Sequence, residues 1–577
     1  ENGANTSFIN QVEDPHVNID EVIQEPITTW ATWQKKKQCS FPLPAYLYGD
    51  NRVNSHGLNL ADPLQRRKLQ QRLHELVDKS YRAAPIVNGK VYAGEKHRMA
   101  APYDHRETVG SVMYSEENAV ADAVQSATLA FDNWRLCPVE ERAAYLNKVA
   151  DLMEQQRAEL VSLCVREGGR TIKDALSEVR EAVDFCRYYA ACALALFNQP
   201  MKLPGPTGED NQLKYYGRGV FLCISPWNFP IAIFTGQIAA ALAAGNTVIA
   251  KPAERTALAA MACTLIFYQA GIPKSVLQFL PGQGSKIGRQ LLGDTRISGI
   301  AGVAFTGSTQ TAQLINKQLA EHQTIVPLIA ETGGQNILIA DSSAHKEQLV
   351  QDVIQSAFNS AGQRCSALRV LYLPLETSDE IIELLTGAMQ QLNIGNPAEY
   401  ATDIGPVITA DAVLQLTQHC NRMQQKANIL YQMQDSKGLG NGSFFPPSLI
   451  EITDLGQLQE EIFGPILPVK TYRKLDEVVD YVNENDRPLG LYYFGETESD
   501  KRKLLDKTIS GGVTVNDVIF HIAQHDLPFG GVGPSGMGAY TGPDGFKEFS
   551  HAKAVYRQPK INVAKLAGFL PPYGDGT

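Results

Sequence analysis

Gly219-Val220-Phe221-Leu222-Cys223-Ile224-Ser225-Pro226-Trp227-Asn228-Phe229-Pro230 sets the reading of the fold. An apolar run of strand length breaks at Ser-Pro and gives way to the apolar stretch Ile231 to Ala244, long enough for a buried helix. The unit then repeats. Thr247 to Lys251, Val276 to Leu280, Gly302 to Phe305 and Val326 to Ala330 read as short strands, with Ala257 to Ala270 as a helix among them. Strand–helix alternation predicts a doubly wound parallel sheet with right-handed crossovers, an α/β fold. A second alternating set runs from Asn336 through Val370-Leu371-Tyr372-Leu373 and Ile381 to Leu392 to Gly511–Asn516.

Outward from this core the signals change. Val120 to Trp134, Val139 to Glu167 and Ile172 to Phe197 carry the apolar spacing of amphipathic helices, and Asn88-Gly89 marks a hairpin over Ile86 to Tyr92. Residues 1–84 read as a connector from an upstream domain, with a helix over Leu64 to Tyr81. The Pro/Gly-rich stretch 204–218 reads as an exposed hairpin whose edge needs covering, which predicts a homo-oligomer.

The 577 residues are 44% hydrophobic and 20% charged, a globular composition. A formal charge of −10 without a basic block argues against nucleic-acid binding. Nine scattered cysteines without a CxxC pair fit a reducing, cytoplasmic compartment and leave no metal-ligand cluster. The run Ile231 to Ala250 is interrupted by Gln237 and Asn246, so no transmembrane segment is expected. The opening on Glu1, without methionine or a signal peptide, reads as an excised piece of a longer chain.

Several stretches carry chemistry. Cys365 follows Ser360-Ala361-Gly362-Gln363-Arg364, a setting for a thiolate nucleophile, although a lone cysteine is more often a small buried hydrophobe. Glu331 ends an apolar run before Thr332-Gly333-Gly334-Gln335-Asn336 and can reach a site as a general base. The Asn228 carboxamide and the Cys365 N–H can form an oxyanion hole; a turn asparagine is the plainer reading. Lys251 and Glu254, at the next strand end, sit where an adenosine ribose is commonly held. Gly282-Gln283-Gly284-Ser285-Lys286-Ile287-Gly288 misses the GxGxxG spacing by one residue, whereas Phe305-Thr306-Gly307-Ser308-Thr309 runs from strand into helix and can receive a pyrophosphate. Glu461 and Phe463 lie two apart on an extended segment, suited to a ribose and a nicotinamide.

Together PWNF, KPAE, FTGS, ETGG, GQRC and EIFGP occur in the order that identifies the chain, over residues 85 to 560, as a member of the aldehyde dehydrogenase superfamily. The resemblance implies an NAD-binding domain of Rossmann type (85–203 and 219–333), an α/β catalytic domain (334–553), and a small β oligomerisation arm with tail (204–218 and 554–577). It implies Cys365 as nucleophile, Glu331 as base and Asn228 in the oxyanion hole. NAD contacts would come from Ile224, Ser225, Pro226, Trp227, Lys251, Glu254, Gly284, Phe305, Gly307, Ser308, Gly333, Glu461 and Phe463.

A narrower resemblance concerns the aldehyde. Glu1 to Phe8, Asp174 to Phe185 and Cys365-Ser366-Ala367 are similar to bifunctional proline utilisation proteins, whose second half is a glutamate γ-semialdehyde (1-pyrroline-5-carboxylate) dehydrogenase. That implies Ser366 at the substrate carboxylate, Phe229 and Phe529 along its chain, and Glu178 at its amine. It also implies an upstream proline dehydrogenase domain in the full-length chain; without that flavin half, neither FAD nor proline oxidation belongs to this piece. From about Gly464 onward, including Leu527 to Gly538, the chain looks more like coniferyl-aldehyde and class 3 aldehyde dehydrogenases. There His521-Ile522 stands where the proline enzymes have Gly-Ala, which should narrow the pocket and restrict its backbone. Glutamate semialdehyde is the expected substrate and an aryl or apolar aldehyde the alternative, while the intact Cys365, Glu331 and Asn228 set argues against a non-catalytic scaffold role.

Overall fold

The computed structural model describes residues 42–573 apart from 207, 294–298, 322–324, 435–438, 454, 459–460, 485–486, 562, 570 and 572, so the Glu1–Phe8 resemblance lies outside the described residues. Two compact units divide at Asn54 and Ser55. In the first, the described part holds the short turns Pro44–Tyr46 and Gly49–Asn51. Everything below concerns the second.

Its centre is an eight-stranded sheet. Val220–Ile224 pairs in parallel with Thr247–Lys251 on one side and Ile300–Thr306 on the other; Leu277–Phe279 and Leu328–Glu331 extend the two flanks, also in parallel. Antiparallel edges close it: Gly536–Met537 beside Leu328–Glu331, and the Ile86–Val87/Lys90–Val91 hairpin beside Leu277–Phe279. Asn88 and Gly89 both take positive φ (49° and 76°), the geometry that joins strands through a two-residue turn. The chain builds this sheet outward from Val220–Ile224 first one way and then the other. The crevice beyond the strand ends at that reversal is where doubly wound sheets hold ligands.

A seven-stranded sheet carries the second alternating set, parallel from Ser448–Glu451 to Gly512–Val515, with Asn428–Gln432 antiparallel at one edge. Each sheet buries its own apolar cluster, with Phe234, Phe267 and Phe279 in the first, and Phe358, Tyr372 and Phe494 in the second.

Three boundaries differ from the sequence reading. The helix predicted over Leu64 to Tyr81 is Pro63–Glu75, because Tyr81–Ala83 instead pairs as a strand with Asp104–Met113. Val139 to Glu167 is two helices, Val139–Gln155 and Arg157–Gly168, since Gln156 leaves helical geometry (ψ 15°) without a glycine or proline to announce it. The arm is wider than 204–218 and 554–577: Met201–Leu203, Asp210–Gly217 and Ser550–Arg557 form one antiparallel sheet, with backbone pairing starting before the proline-rich loop. The described cysteines are free thiols. No helix among the described residues is long and apolar enough to cross a membrane.

Candidate active site

Cys365 sits in a loop whose shape is set three residues upstream. Ser360, Ala361 and Gly362 all take positive φ (54°, 53° and 69°). A Cβ at position 362 would come within 2.4 Å of the Gly464 carbonyl, so only glycine passes there. Two non-glycine residues in the left-handed region are a local strain, and the surroundings hold them. Ser360 Oγ donates to Asp174, Arg364 pairs with the same carboxylate, and Gln363 Nε2 donates to the Ser360 carbonyl (2.9 Å). On the far side, buried Asn336 donates from Nδ2 to the carbonyls of Cys365 (2.6 Å) and Ala367 (2.9 Å) and accepts the Gly490 N–H (2.9 Å).

Asp174 is the centre of a buried ionic group. Arg170 reaches it at 3.3 Å and Glu178 at 3.0 Å, and Arg170 also donates to the Asn228 carbonyl. Burial alone would raise the Asp174 pKa, but the Arg170 and Arg364 guanidiniums outweigh it and hold the carboxyl below its usual range. The network joins the helix Ile172–Phe197 to both the Asn228 turn and the cysteine loop. Asn228 itself is buried and donates from Nδ2 to the Gln363 carbonyl (3.1 Å), two residues before the nucleophile.

Cys365, Ser366, Glu331, Phe229 and Phe529 line one cavity, together with Ile522, Tyr540, Phe185, Tyr189 and Glu181. Burial, then the charges of Glu331 and Glu461, pushes the Cys365 thiol up. Glu331 is likewise pushed well above the carboxylate range by burial and then by the charge of Glu181. Its Oε1 is buried with no hydrogen-bond partner among the described residues.

Glu178 does not line this cavity. Its Oε1 accepts the N–H groups of Ile231 (2.7 Å) and Ala232 (3.3 Å), which caps the helix Ala232–Ala243, while its other oxygen meets Arg170. One turn further on, Glu181 faces the cavity, half-buried, with its pKa raised to about 7 by burial and then by Glu178. Glu178, expected at a substrate amine, thus lies outside the cavity, and Glu181 lines it one helical turn on. His521 also stays out of the lining. Its ring packs at 5.3 Å from Phe529 and 6.0 Å from Tyr492, and burial lowers its pKa to about 4. Only Ile522 narrows the cavity, and the backbone restriction falls at Ile519, at φ 63° in a tight turn closed by Phe520 N–H to the Val518 carbonyl (2.6 Å).

A separate crevice opens at the strand reversal. Ile224, Ser225, Trp227, Lys251, Glu254, Gly284, Phe305, Gly307 and Ser308 line it, with Arg255 and Arg289. Pro226 does not. Glu254 accepts the Gly284 N–H (2.9 Å) at the start of the helix Gly284–Gly293, and burial brings Lys251 down to about 8. Gly333, Glu461 and Phe463 form a second group beside it: a Cβ on Gly333 would sit 1.9 Å from the Glu461 carboxylate, and the Phe463 and Trp227 rings meet edge-on at 5.7 Å. These glycine cradles and the helix starts at Gly284 and Thr309 fit the backbone-lined approach that a dinucleotide requires. Asn336, Asp174, Arg170, Glu181 and Arg369 were given no role from the sequence; of these, Asn336 lay inside the Glu331 motif and Glu181 one helical turn from Glu178.

Comparison with known proteins converges on one family. A model described as "Aldehyde dehydrogenase family" matches residues 91–555. "Bifunctional protein PutA" of Escherichia coli strain K12 is 40% identical over 94% of this chain; the chain spans 41% of that relative's length. A "Probable coniferyl aldehyde dehydrogenase" of Caulobacter vibrioides is 34% identical over 76% of this chain and 90% of its own. The solved structure of Thermus thermophilus 1-pyrroline-5-carboxylate dehydrogenase (R100A mutant) is 30% identical, with a TM-score of 0.82 over 87% of this chain and 98% of that one.

Proposed function

The chain belongs to the aldehyde dehydrogenase family, and from that premise we propose that it oxidises L-glutamate γ-semialdehyde, derived from 1-pyrroline-5-carboxylate, to L-glutamate with NAD. The observation that carries the substrate is the cavity itself. Glu181, whose carboxylate has no ion pair among the described residues, and Ser366 line it together with Cys365, Phe229 and Phe529. An aldehyde with an aliphatic middle and an amino-acid end matches that lining. The two relatives with proline-pathway names support the same reading.

The Cys365 thiol gives its proton to water, and its sulfur attacks the aldehyde carbon to give a thiohemiacetal. The developing oxyanion is received by the Asn228 Nδ2 donor and the Cys365 N–H. Collapse of the oxyanion forms a thioester with loss of a hydride, for which a bound nicotinamide would be the acceptor. Glu331 then removes a proton from water, which attacks the thioester and frees the acid with the thiol restored. Aldehyde, water and NAD+ give acid, NADH and a proton. Splitting the oxidation through a covalent intermediate is the usual advantage of a thiol nucleophile. Lys251, Glu254, Ser308 and the Gly284 and Gly307 backbones would hold the dinucleotide, and Glu461 and Phe463 would lie at its nicotinamide end.

We further propose a homo-oligomer, because the arm leaves Met201–Leu203 as an exposed edge strand with Met201 and Leu203 about half exposed. An upstream proline dehydrogenase domain in the full-length protein follows the same reading, supported by the chain matching only part of PutA.

A second reading, oxidation of an aryl aldehyde, is favoured by the apolar wall of Phe185, Tyr189, Ile522 and Phe529. NADH production by the purified chain, with 1-pyrroline-5-carboxylate against coniferyl aldehyde and Cys365→Ala as blank, separates the two. Preference for 1-pyrroline-5-carboxylate is the expected result; preference for coniferyl aldehyde overturns the substrate assignment.

A further inference from the structure

Arg369 lies four residues beyond the nucleophile and is 2% exposed. Its guanidinium touches two parts of the site that are far apart in sequence. Nη1 donates to the Gly362 carbonyl (2.7 Å) and Nη2 to the Arg364 carbonyl (2.9 Å), both on the approach to Cys365. Nε and Nη2 also each reach Glu461 Oε1 at 3.3 Å, and the guanidinium lies 5.0 Å from the centre of the Phe463 ring. One planar cation therefore joins the strained cysteine loop to the Glu461–Phe463 segment beside the crevice.

Such a contact set needs the fork geometry of arginine. A lysine keeps the charge but cannot donate to both carbonyls and the carboxylate from one plane. The Glu461 charge also opposes ionisation of the Cys365 thiol, and Arg369 is the cation placed to balance it. Hydroxyl groups that engage Glu461 compete for the oxygen Arg369 now holds.

We propose that Arg369 is a positioning residue that couples Glu461 to the backbone of the Cys365 loop, so that a dinucleotide engaging Glu461 changes the reactivity of the thiol. The inference rests on the nicotinamide-cofactor part of the proposed function and is independent of which aldehyde is oxidised.

The test uses the full chain and the variants Arg369→Lys and Glu461→Gln, each checked for a wild-type circular dichroism spectrum. NADH binding is followed by fluorescence, and alkylation of Cys365 by iodoacetamide is followed by peptide mass spectrometry with and without saturating NAD+. In the wild type, NAD+ should change the alkylation rate several-fold. In both variants that ratio should fall to near one while NADH still saturates. Should Arg369→Lys not fold, Glu461→Gln decides, because Glu461 is partly exposed; should Glu461→Gln not bind NADH, Arg369→Lys decides. A wild-type ratio in a folded, NADH-binding variant overturns the coupling alone, as does a wild-type enzyme that binds NADH with no change in alkylation. A wild-type chain that does not bind NADH overturns both the coupling and the cofactor assignment.

Discussion

Replacing Asp174 with asparagine removes the one carboxylate shared by Arg170 and Arg364. The Asp174 side chain is 1% exposed and those of its partners 5% and 11%, so solvent screens little of the loss. Breaking a buried pair from one side typically costs about 3–5 kcal/mol. Arg170 keeps Glu178 as a counter-ion and Arg364 keeps the Ser360 hydroxyl (3.1 Å) and the Phe229 ring, which places the expected cost near the lower end, about 3 kcal/mol. For a large domain, at about 2 °C per kcal/mol, the melting midpoint should fall by roughly 6 °C. The loss should also reach the site, because the same network fixes the Asn228 carbonyl and the positive-φ run before Cys365. Differential scanning calorimetry of Asp174→Asn beside Asp544→Asn, which breaks the exposed pair with Lys547, gives the comparison. The exposed substitution should leave the midpoint unchanged. Equal, small shifts in the two variants would refute the view that the ionic group organises the nucleophile loop.

Other consequences follow from the same geometry. Glu181→Gln removes a charge that raises the Glu331 pKa, so the pH limb for turnover of an aldehyde lacking an amino group should move to lower pH, and KM for 1-pyrroline-5-carboxylate should rise; an unmoved limb contradicts the pairing. Glu167 is buried, accepts the Leu258 and Ala259 N–H groups (2.8 Å each), and has its folded-state pKa raised by burial from 4.5 to about 8. Its raised value favours the folded state fully below pH 4.5, and that contribution is lost as pH climbs to about 8. At about 1.4 kcal/mol per pKa unit this is on the order of a few kcal/mol, and urea titrations of Glu167→Gln should lack that part of the slope between pH 5 and 8. Gly333→Ala puts a methyl where the Glu461 carboxylate now lies; the flexible carboxylate can swing away, so the fold should survive while NADH binding weakens roughly tenfold by fluorescence.

Much of this was legible in the sequence because it is local. Strand–helix alternation gave Val220–Ile224, Thr247–Lys251 and the helix Ala257–Ala270 nearly to the residue, and Asn88-Gly89 gave its turn. The residues lining the crevice fell at strand ends, where the fold class alone says ligands go. Contacts across long separations were not legible. Asp174 meets Arg364 across 190 positions and Arg369 meets Glu461 across 92, and no local pattern marks either pair. That Glu181 and not Glu178 lines the cavity has a similar origin: both belong to one helix, and only the helix start at Ala232 decides which carboxylate is used as a cap.

The most direct measurement is to trap the acyl enzyme. Glu331→Gln leaves Cys365 free to attack and removes the group assigned to thioester hydrolysis. Incubated with NAD+ and 1-pyrroline-5-carboxylate and then analysed by peptide mass spectrometry, it should carry a glutamyl thioester on the Cys365 peptide, formed with one burst of NADH. A Cys365 peptide without adduct, alongside sustained NADH production, would contradict the assigned roles of both residues.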